Sequence, residues 1–392
     1  MHSPLATRWR ERLPWIVSTI VVGLSAALIA RTIGLLDRGF DFTDQSAYLM
    51  VAQRPADYDI AYGLWGYGLH PLLLLAGGSI AGMERAGALV LVVLGAALGI
   101  VAANRLQMDW RRPAAAQIVA VAAGLPLAYY SLWLPVPSYN WIALVSGMGL
   151  MIAMVLLDTA ASRLFGSAAI AASAMVLAVF ARPQNALAYG VLYLIVICLA
   201  IPTNEGRLKQ VFRVACCGLI VVAAVAAVAP VGTIVDQLKA YYAVFGTEHP
   251  FHFSFAEQQM VFLTSAWLWV ASGIVFVIAL FVRRGGRFES DRAVFAIAVF
   301  AIVVSVATIV RNGLHPHEYR IGVTAGILAF CALSLAGLRE KSYPRLLVIL
   351  GSAALIPWMA TVGSSNPVRM QLAFFRGYRP SWRWLRGRPP LA

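Results

Sequence analysis

The sequence predicts an all-α, polytopic membrane protein. Of its 392 residues, 60% are hydrophobic and only 12% are charged, and the mean hydropathy is +0.76. The apolar residues form blocks of about twenty residues, the length of a membrane-crossing helix, rather than amphipathic stripes. A bilayer offers no water to unpaired backbone groups, and the blocks are too long and unbroken for barrel strands. Each block therefore predicts a helix.

The blocks predict about eleven transmembrane helices in one transmembrane domain, 1–392. The first block, Leu13 to Leu36, follows the basic stretch RWRER and exceeds the apolar core of a cleavable signal peptide, so it predicts a retained anchor. Ten further blocks lie at 86–104, 114–133, 140–157, 165–181, 186–201, 212–233, 259–282, 292–310, 319–337 and 345–363. A shorter Gly-rich block at 69–82 predicts an interfacial or re-entrant segment, and counting it as a crossing would reverse the sidedness of everything after it.

The connections between blocks differ in charge. With eleven spans, the N-terminal arm and the connections on its side hold more than half of the Lys and Arg residues, which predicts a cytoplasmic N-terminus in a bacterial inner membrane. This bias accounts for the net charge of +14 without a nucleic-acid partner. The basic, Trp-containing tail at 364–392 falls on the opposite side, against the bias. It is either an interfacial anchor in contact with membrane lipids or a sign that the count is wrong by one.

The first outer segment, 37–85, carries the stretch RGFDFTDQSAYLMVAQRP. Asp41 and Asp44 would share one helix face with Tyr48 if this stretch is helical. Carboxylates at a membrane boundary are costly unless they are used or paired, so this segment is a place to look for function. On the residues alone, the simpler interpretation is a helix cap, in which Asp41 or Thr43 caps a short helix that starts near Asp44.

A family resemblance rests on four features in order: the long anchor, DFTDQSAYL, LHPL at His70 and Pro71, and GMERAGAL at the start of the next span. This order resembles the GT-C glycosyltransferases, and is most similar to the protein O-mannosyltransferase and lipid A aminoarabinose transferase branch. Those enzymes carry an acidic DE with a nearby aromatic residue, an HPPL or KPPL, and a Gly followed by an Arg. Here Gln45 stands where Glu is usual, and Leu72 replaces the second proline.

The resemblance implies transfer of a sugar from a polyprenyl-phosphate donor to an acceptor on the outer side of the membrane, with no cofactor. It implies that Asp44 is the general base, acting without a second carboxylate because Gln45 replaces Glu, while Asp41 is the weaker catalytic candidate. It also places a functional arginine at Arg85, for which the alternative is a local pair with Glu84. The sugar, and whether the acceptor is a glycan, a lipid or a protein, cannot be read from the sequence.

Arginine suits a leaving phosphate because its guanidinium binds phosphate oxygens in a fork and keeps its charge. Besides Arg85, the candidates are Arg182, Arg311 and Arg320, although RPQN at 182–185 also fits a simple tight turn. Candidate substrate contacts are Tyr48, His70, His315, His317 and Glu318, the last three from the stretch RNGLHPHEYR.

A metal site is not expected. His315 and His317 lack a third ligand at helical spacing. The four cysteines, Cys198, Cys216, Cys217 and Cys331, lie within apolar blocks and have no ligand spacing, so they predict core residues. The outer connection 234–258 mixes histidines with alternating phenylalanines, and predicts either an amphipathic interfacial segment or a lid over the lipid-linked sugar.

Two other functional classes stay open. A lipid or glycan transporter would also place charged residues along a pathway, but ionisable groups would then be expected near mid-span. Here they gather at one face of the predicted bundle, which favours a one-sided active site. A non-enzymatic assembly subunit would not need the acidic pair.

Overall fold

The computed structural model describes residues 4–36, 44–58, 63–105, 109–111, 113–124, 126–127, 137–157 and 161–245. In this part of the chain the regular structure is entirely helical. The helices are α1 (Pro4–Leu35), α2 (Asp44–Gln53), α3 (Gly63–Leu75), α4 (Ile80–Arg105), α5 (Pro113–Gly124), α6 (Tyr139–Leu156), α7 (Ala161–Ala181), α8 (Pro183–Ala200), α9 (Asn204–Val228) and α10 (Val231–Phe245), with a 3₁₀ turn at Pro55–Asp57. The four predicted spans from 259 onward and the tail at 364–392 lie outside the described residues.

Four of these helices are long and apolar enough to cross a membrane: α4, α6, α7 and α9. Shorter apolar stretches lie in α1, α3, α5 and α8. Helix α6 is the most enclosed of the four, since 78% of its apolar window is buried, compared with 6% for α9. The predicted helical membrane fold is confirmed at this level, and the count of eleven spans stays a prediction.

Helices α4 and α5 approach closely through small residues. A Cβ atom added to Gly95 would lie 2.1 Å from the carbonyl oxygen of Ala122, and one added to Gly99 would lie 2.8 Å from the Cα of Val119. Glycines four residues apart let two helix backbones come together in an apolar medium, where packing replaces the hydrophobic effect as the source of association. The later glycine of α4 meets the earlier residue of α5, so the two helices are antiparallel.

Helix α1 runs parallel to α5. The Ser18 hydroxyl donates to the Gln117 side-chain oxygen at 2.9 Å, and farther along both helices Ile29 lies beside Gly124. Because α5 is antiparallel to α4, α1 must be antiparallel to α4 as well. The chain therefore leaves α1 and begins α4 at the same end of the bundle. This agrees with a segment before α4 that makes no net crossing.

The block expected at 69–82 consists of the second half of α3, a turn and the start of α4. Helix α3 has 13 residues, or about 20 Å, which is less than the thickness of the hydrocarbon core. It ends where Gly78 N–H donates to Leu73 at 2.9 Å and Gly77 N–H donates to Leu74 at 3.0 Å, with Gly77 at φ +66. This is a Schellman motif, which needs a left-handed residue.

Ser79 begins the next helix. Its hydroxyl oxygen accepts the N–H of Gly82 at 3.0 Å, which caps the first turn of α4. The capped end of α3 is thus joined to the capped start of α4 by a very short turn. This turn sets the direction of α4 relative to α3, and the side of α4 that faces the bundle.

Buried polar side chains link α6, α7, α8 and α9. Ser167 donates to the carbonyl of Ala153 and shares a hydrogen bond with the Tyr193 hydroxyl, each at 2.5 Å. The Gln210 amide donates to the Tyr193 hydroxyl at 3.2 Å and to the carbonyl of Leu164 at 3.0 Å. Satisfied polar groups of this kind fix helix register where water is absent.

Helices α9 and α10 differ from the sequence-based expectation. Helix α9 begins eight residues before the apolar block at 212, because the Thr203 hydroxyl caps it and the Glu205–Lys209 pair, 2.5 Å apart, lies on its first turns. Pro230 then separates α9 from α10. The start of the region expected as the outer connection 234–258 is therefore helical.

We expect Gly95→Ala to lower the unfolding temperature of the purified protein, because the added methyl must push α5 away. Overpacking of this kind typically costs about 1–3 kcal/mol. Gly218→Ala on α9 is the matched control, since no atom of the described residues lies within 4 Å of its Cβ position. Thermal unfolding in one detergent compares the two, and equal midpoints would contradict the close α4–α5 contact.

Candidate functional site

One end of the bundle gathers most of the described candidate residues. It is the end at which α1 finishes and α4, α6 and α8 begin, and we call it the α2 end because α2 lies there. The indole N–H of Trp141 on α6 donates to the carbonyl of Gly87 on α4 at 3.1 Å, which places the first turns of these helices side by side. Helix α3 packs against the same end, since Gly68 lies beside Ile142 and Phe180.

Three aromatic rings and one arginine meet at the α2 end. Tyr48 on α2 contacts Trp65 on α3 edge to face, with ring centroids 4.8 Å apart, and lies 6.2 Å from the ring of Tyr139 on α6. The guanidinium carbon of Arg182 stands 4.8 Å from the centroid of Tyr139. We call these four residues the aromatic–arginine cluster. It joins parts of the chain that are far apart in sequence.

Local sequence signals fix both Tyr139 and Arg182. The Ser138 hydroxyl accepts the N–H of Asn140 at 3.2 Å and caps α6, so that Tyr139 is its first residue. Arg182 is the N-cap of α8, with extended backbone and Pro183 as the first helical residue. Of the tight turn expected at 182–185, only Arg182 lies between the helices, because 183–185 form the first turn of α8. The Arg182 side chain points towards α6.

The cluster lies in a setting that strengthens electrostatic contacts. Tyr48 and Trp65 are 7% and 6% exposed, whereas Tyr139 and Arg182 are half-buried. An arginine over an aromatic face gains about 0.5–1 kcal/mol when exposed and about 2 kcal/mol when desolvated, so a half-buried pair lies between these values. Stacking uses the flat face of the guanidinium, while its N–H donors point along the edge of the plane. Within the described part of the chain, the buried indole N–H of Trp65 has no hydrogen-bond partner.

Asp44 is the first residue of α2, as the sequence predicted for a short helix starting there. It stands four residues before Tyr48, and positions i and i+4 share one face of a helix. Asp41 and the possible cap Thr43 lie outside the described residues. Both the catalytic assignment of Asp44 and the choice between the two aspartates stay predictions.

His70 has a structural contact that the sequence did not suggest. Its Nδ1 lies 2.8 Å from the carbonyl oxygen of Ala52, which can only accept, so Nδ1 carries the proton. Ala52 belongs to the last turn of α2, where carbonyl groups lack partners within the helix. His70 therefore caps the end of α2 from the neighbouring helix, and its role as a substrate contact stays a prediction.

Glu84 and Arg85 lie in the second turn of α4 and differ in exposure. Glu84 is 1% exposed, whereas Arg85 is exposed. Successive helical residues point about 100° apart, so one side chain turns into the bundle and the other turns outward. Both lie one turn or less before Gly87, which contacts the start of α6. Arg85 is thus placed at the α2 end, and its role as a phosphate ligand stays a prediction.

The remaining candidates, Arg311, Arg320, His315, His317 and Glu318, lie outside the described residues. Among the residues that are described, no group of three His, Cys, Asp or Glu side chains has the arrangement of a metal site. Comparison with known proteins does not identify a relative: no protein-family model matches the chain, and neither the curated proteins nor the solved structures give a significant match.

The sequence did not single out Trp65 or Tyr139 as site residues. Each left a signal: Trp65 lies in the Gly-rich aromatic stretch GLWGYG, and Tyr139 lies in SYN, where a serine cap begins a span. Aromatic residues at a span boundary usually sit in the headgroup layer, so these signals point to the membrane interface before they point to a site.

We expect His70→Phe to reduce stability, because the buried carbonyl of Ala52 loses its donor, which typically costs about 1–3 kcal/mol. His70→Gln is the control, since its amide retains a donor of similar reach. Thermal unfolding of the two purified variants measures the difference. If His70→Phe unfolds at the parent temperature, the capping role is wrong and a purely ligand-facing role gains support.

Proposed function

We propose that the protein is a GT-C-like glycosyltransferase of a bacterial inner membrane, with about eleven spans and a cytoplasmic N-terminus. It moves a sugar from a polyprenyl-phosphate donor to an acceptor at the outer side, where we assign the α2 end. The acceptor is a glycan, a lipid or a protein. The proposal requires no metal or other cofactor.

One observation supports this proposal above the others. The guanidinium of Arg182, a candidate phosphate ligand, lies over the ring of Tyr139, and Tyr139 contacts Tyr48, one helical turn after Asp44. A general base and a cation for the leaving phosphate must lie on opposite sides of one reacting carbon. The cluster brings the elements that carry Asp44 and Arg182 to the same end of the bundle.

The reaction needs few groups because the donor already carries its leaving group. Asp44 accepts the proton of the acceptor hydroxyl while that oxygen attacks the anomeric carbon of the sugar. The bond from that carbon to the phosphate oxygen breaks, and polyprenyl phosphate leaves with both bonding electrons. Arg182 and Arg85, with Arg311 and Arg320 as further candidates, stabilise the negative charge on the phosphate.

Trp65 gives the site a second feature that fits an oxygen-rich substrate. A buried N–H without a partner costs about 1–3 kcal/mol, and a hydroxyl or ring oxygen of the substrate would satisfy it. The neighbouring aromatic faces suit the C–H groups of a sugar ring. In this proposal Trp65 and His70 on α3, together with Tyr48 on α2, form one wall of the site.

A transporter without transferase activity is the alternative function. Among the described residues, the buried polar side chains of the mid-bundle are Ser, Tyr and Gln rather than ionisable groups. Transport pathways for charged lipids usually carry ionisable residues at that depth. This arrangement favours the enzyme.

We expect Asp44→Asn to abolish sugar transfer and leave the protein folded, because asparagine keeps the size of the side chain and cannot accept the proton. Loss of a general base typically lowers the rate about 10²- to 10⁴-fold. Asp41→Asn is the control, and we expect it to retain a substantial fraction of activity, because a lost cap costs stability rather than turnover.

Mass spectrometry of lipids that co-purify with the protein identifies the donor and measures its conversion to polyprenyl phosphate. The Asp44→Asn protein should retain intact polyprenyl-phosphate sugar where the parent has released the product. Full activity in Asp44→Asn would remove the assigned base. If the parent moves the lipid-linked sugar across vesicles without cleaving it, the transporter alternative is correct.

We expect Arg182→Ala and Arg85→Ala each to weaken binding of undecaprenyl phosphate to the protein in nanodiscs by about tenfold or more, since each would remove a charged donor from the phosphate. Arg182→Lys should rescue only part of the loss, because lysine keeps the charge without the stacked fork. Arg54→Ala is the control: its side chain is 79% exposed and pairs with Asp57 at 3.8 Å. Unchanged binding in both alanine variants would contradict the assignment.

A further inference from the structure

Gln237 on α10 makes a contact that spans most of the described chain. Its side-chain amide nitrogen donates to the carbonyl oxygens of Pro55, at 3.0 Å, and Tyr58, at 2.8 Å. Gln237 is 1% exposed, so both bonds are shielded from water. The carbonyl of Pro55 begins the 3₁₀ turn that follows α2, and the carbonyl of Tyr58 belongs to the residue after this turn. Helix α10 is thereby joined to residues 55–58, which follow α2.

The chemistry fixes the direction of the Gln237 amide. Rotating it by half a turn would point its oxygen at two carbonyl oxygens, which can only accept. The oxygen Oε1 is buried and, in the part of the chain that the structure describes, has no donor. The position of this side chain is therefore determined by the two bonds of its nitrogen.

Helix α10 has a partly buried side and an exposed side. Ile234 and Leu238 are half-buried next to Gln237. In the described part of the chain, the other side exposes Val231, Val235, Tyr242 and the pair of Asp236 with Lys239, which are 2.9 Å apart. A helix that exposes apolar and charged residues together suits the membrane interface. Gln237 attaches this helix to the turn after α2 through two hydrogen bonds.

The segment that Gln237 holds is closely packed as one body. A Cβ atom on Gly66 would lie 2.6 Å from the carbonyl oxygen of Val51 and 3.0 Å from the Cβ of Pro55, so α3 packs closely against both α2 and the 3₁₀ turn. His70 joins α3 to the end of α2. Displacement of the turn would therefore move α2, together with Tyr48 and the position of Asp44.

We propose that α10 is a strap across the α2 end and that Gln237 is a positioning residue, which holds α2 in register with the aromatic–arginine cluster. The effect of Gln237 on catalysis rests on the proposed function, whereas its effect on the position of α2 does not. Among the described residues few buried contacts hold α10, so we expect the strap to open before the rest of this end does.

Hydrogen–deuterium exchange of the full-length protein in nanodiscs tests the strap. Gln237→Leu keeps the volume and removes both donors, and we expect amides of 44–58 to exchange about tenfold faster. Gln237→Glu adds a pH readout that a packing role would not give. Its protonated carboxyl can donate to a carbonyl at low pH, whereas the ionised form repels both carbonyls, so exchange corrected for intrinsic rates should increase as pH rises. Asp236→Asn is the control.

A second measurement tests positioning. Gln237→Leu should lower kcat for release of polyprenyl phosphate at least about tenfold, with a smaller change in KM. The reason is that displacement of α2 moves the base Asp44 but affects binding of the donor less. Unchanged exchange at 44–58 in both Gln237 variants would overturn the strap. Faster exchange with parental kcat would overturn the positioning role. If the parent shows no transfer, the proposed function fails, while the exchange result still decides the strap.

Discussion

The organisation of this protein depends on the absence of water around its helices. Several polar side chains that enter the bundle find their partners on other helices: Ser18 with Gln117, Trp141 with Gly87, and Tyr193 with Ser167 and Gln210. These contacts are few, and each one fixes the register of the pair that it joins. Close glycine contacts supply the remaining order between α4 and α5.

The α2 end follows the same rule in a more polar setting. His70 and Gln237 each donate to backbone carbonyls at the end of α2 and in the turn after it, where the helix itself provides no donor. The guanidinium of Arg182 lies over the ring of Tyr139. An aromatic face positions a cation without cancelling its charge, which suits the proposed role of Arg182 at a phosphate.

The sequence predicted the helices well where apolar blocks are bounded by clear signals. The blocks at 140–157, 165–181 and 186–201 correspond closely to α6, α7 and α8, because a serine cap, a short polar connection and Arg182–Pro183 mark their limits. The start of α9 was not predicted, because hydropathy does not distinguish a polar first turn from a loop. Local capping at Thr203 decides it.

The site was predictable only in part. Tyr48, Arg85 and Arg182 could be chosen as polar or aromatic residues at span boundaries, but their neighbours could not. The contacts of Tyr139 with Tyr48 and Arg182, and of Gln237 with Pro55, join elements that no periodicity relates. Such contacts depend on helix packing, which is decided by side-chain shape across the whole bundle.

The turn between α3 and α4 restricts how this gene can change in length. Insertions in connections are usually tolerated, since longer loops cost little entropy. Here one added or deleted residue among Gly77, Gly78 and Ser79 would rotate α4 by about 100° about its own axis. Met83 and Glu84, now buried, would turn towards the surrounding lipid, and Gly95 would no longer face α5. Related sequences should therefore vary in composition along this turn more readily than in residue number.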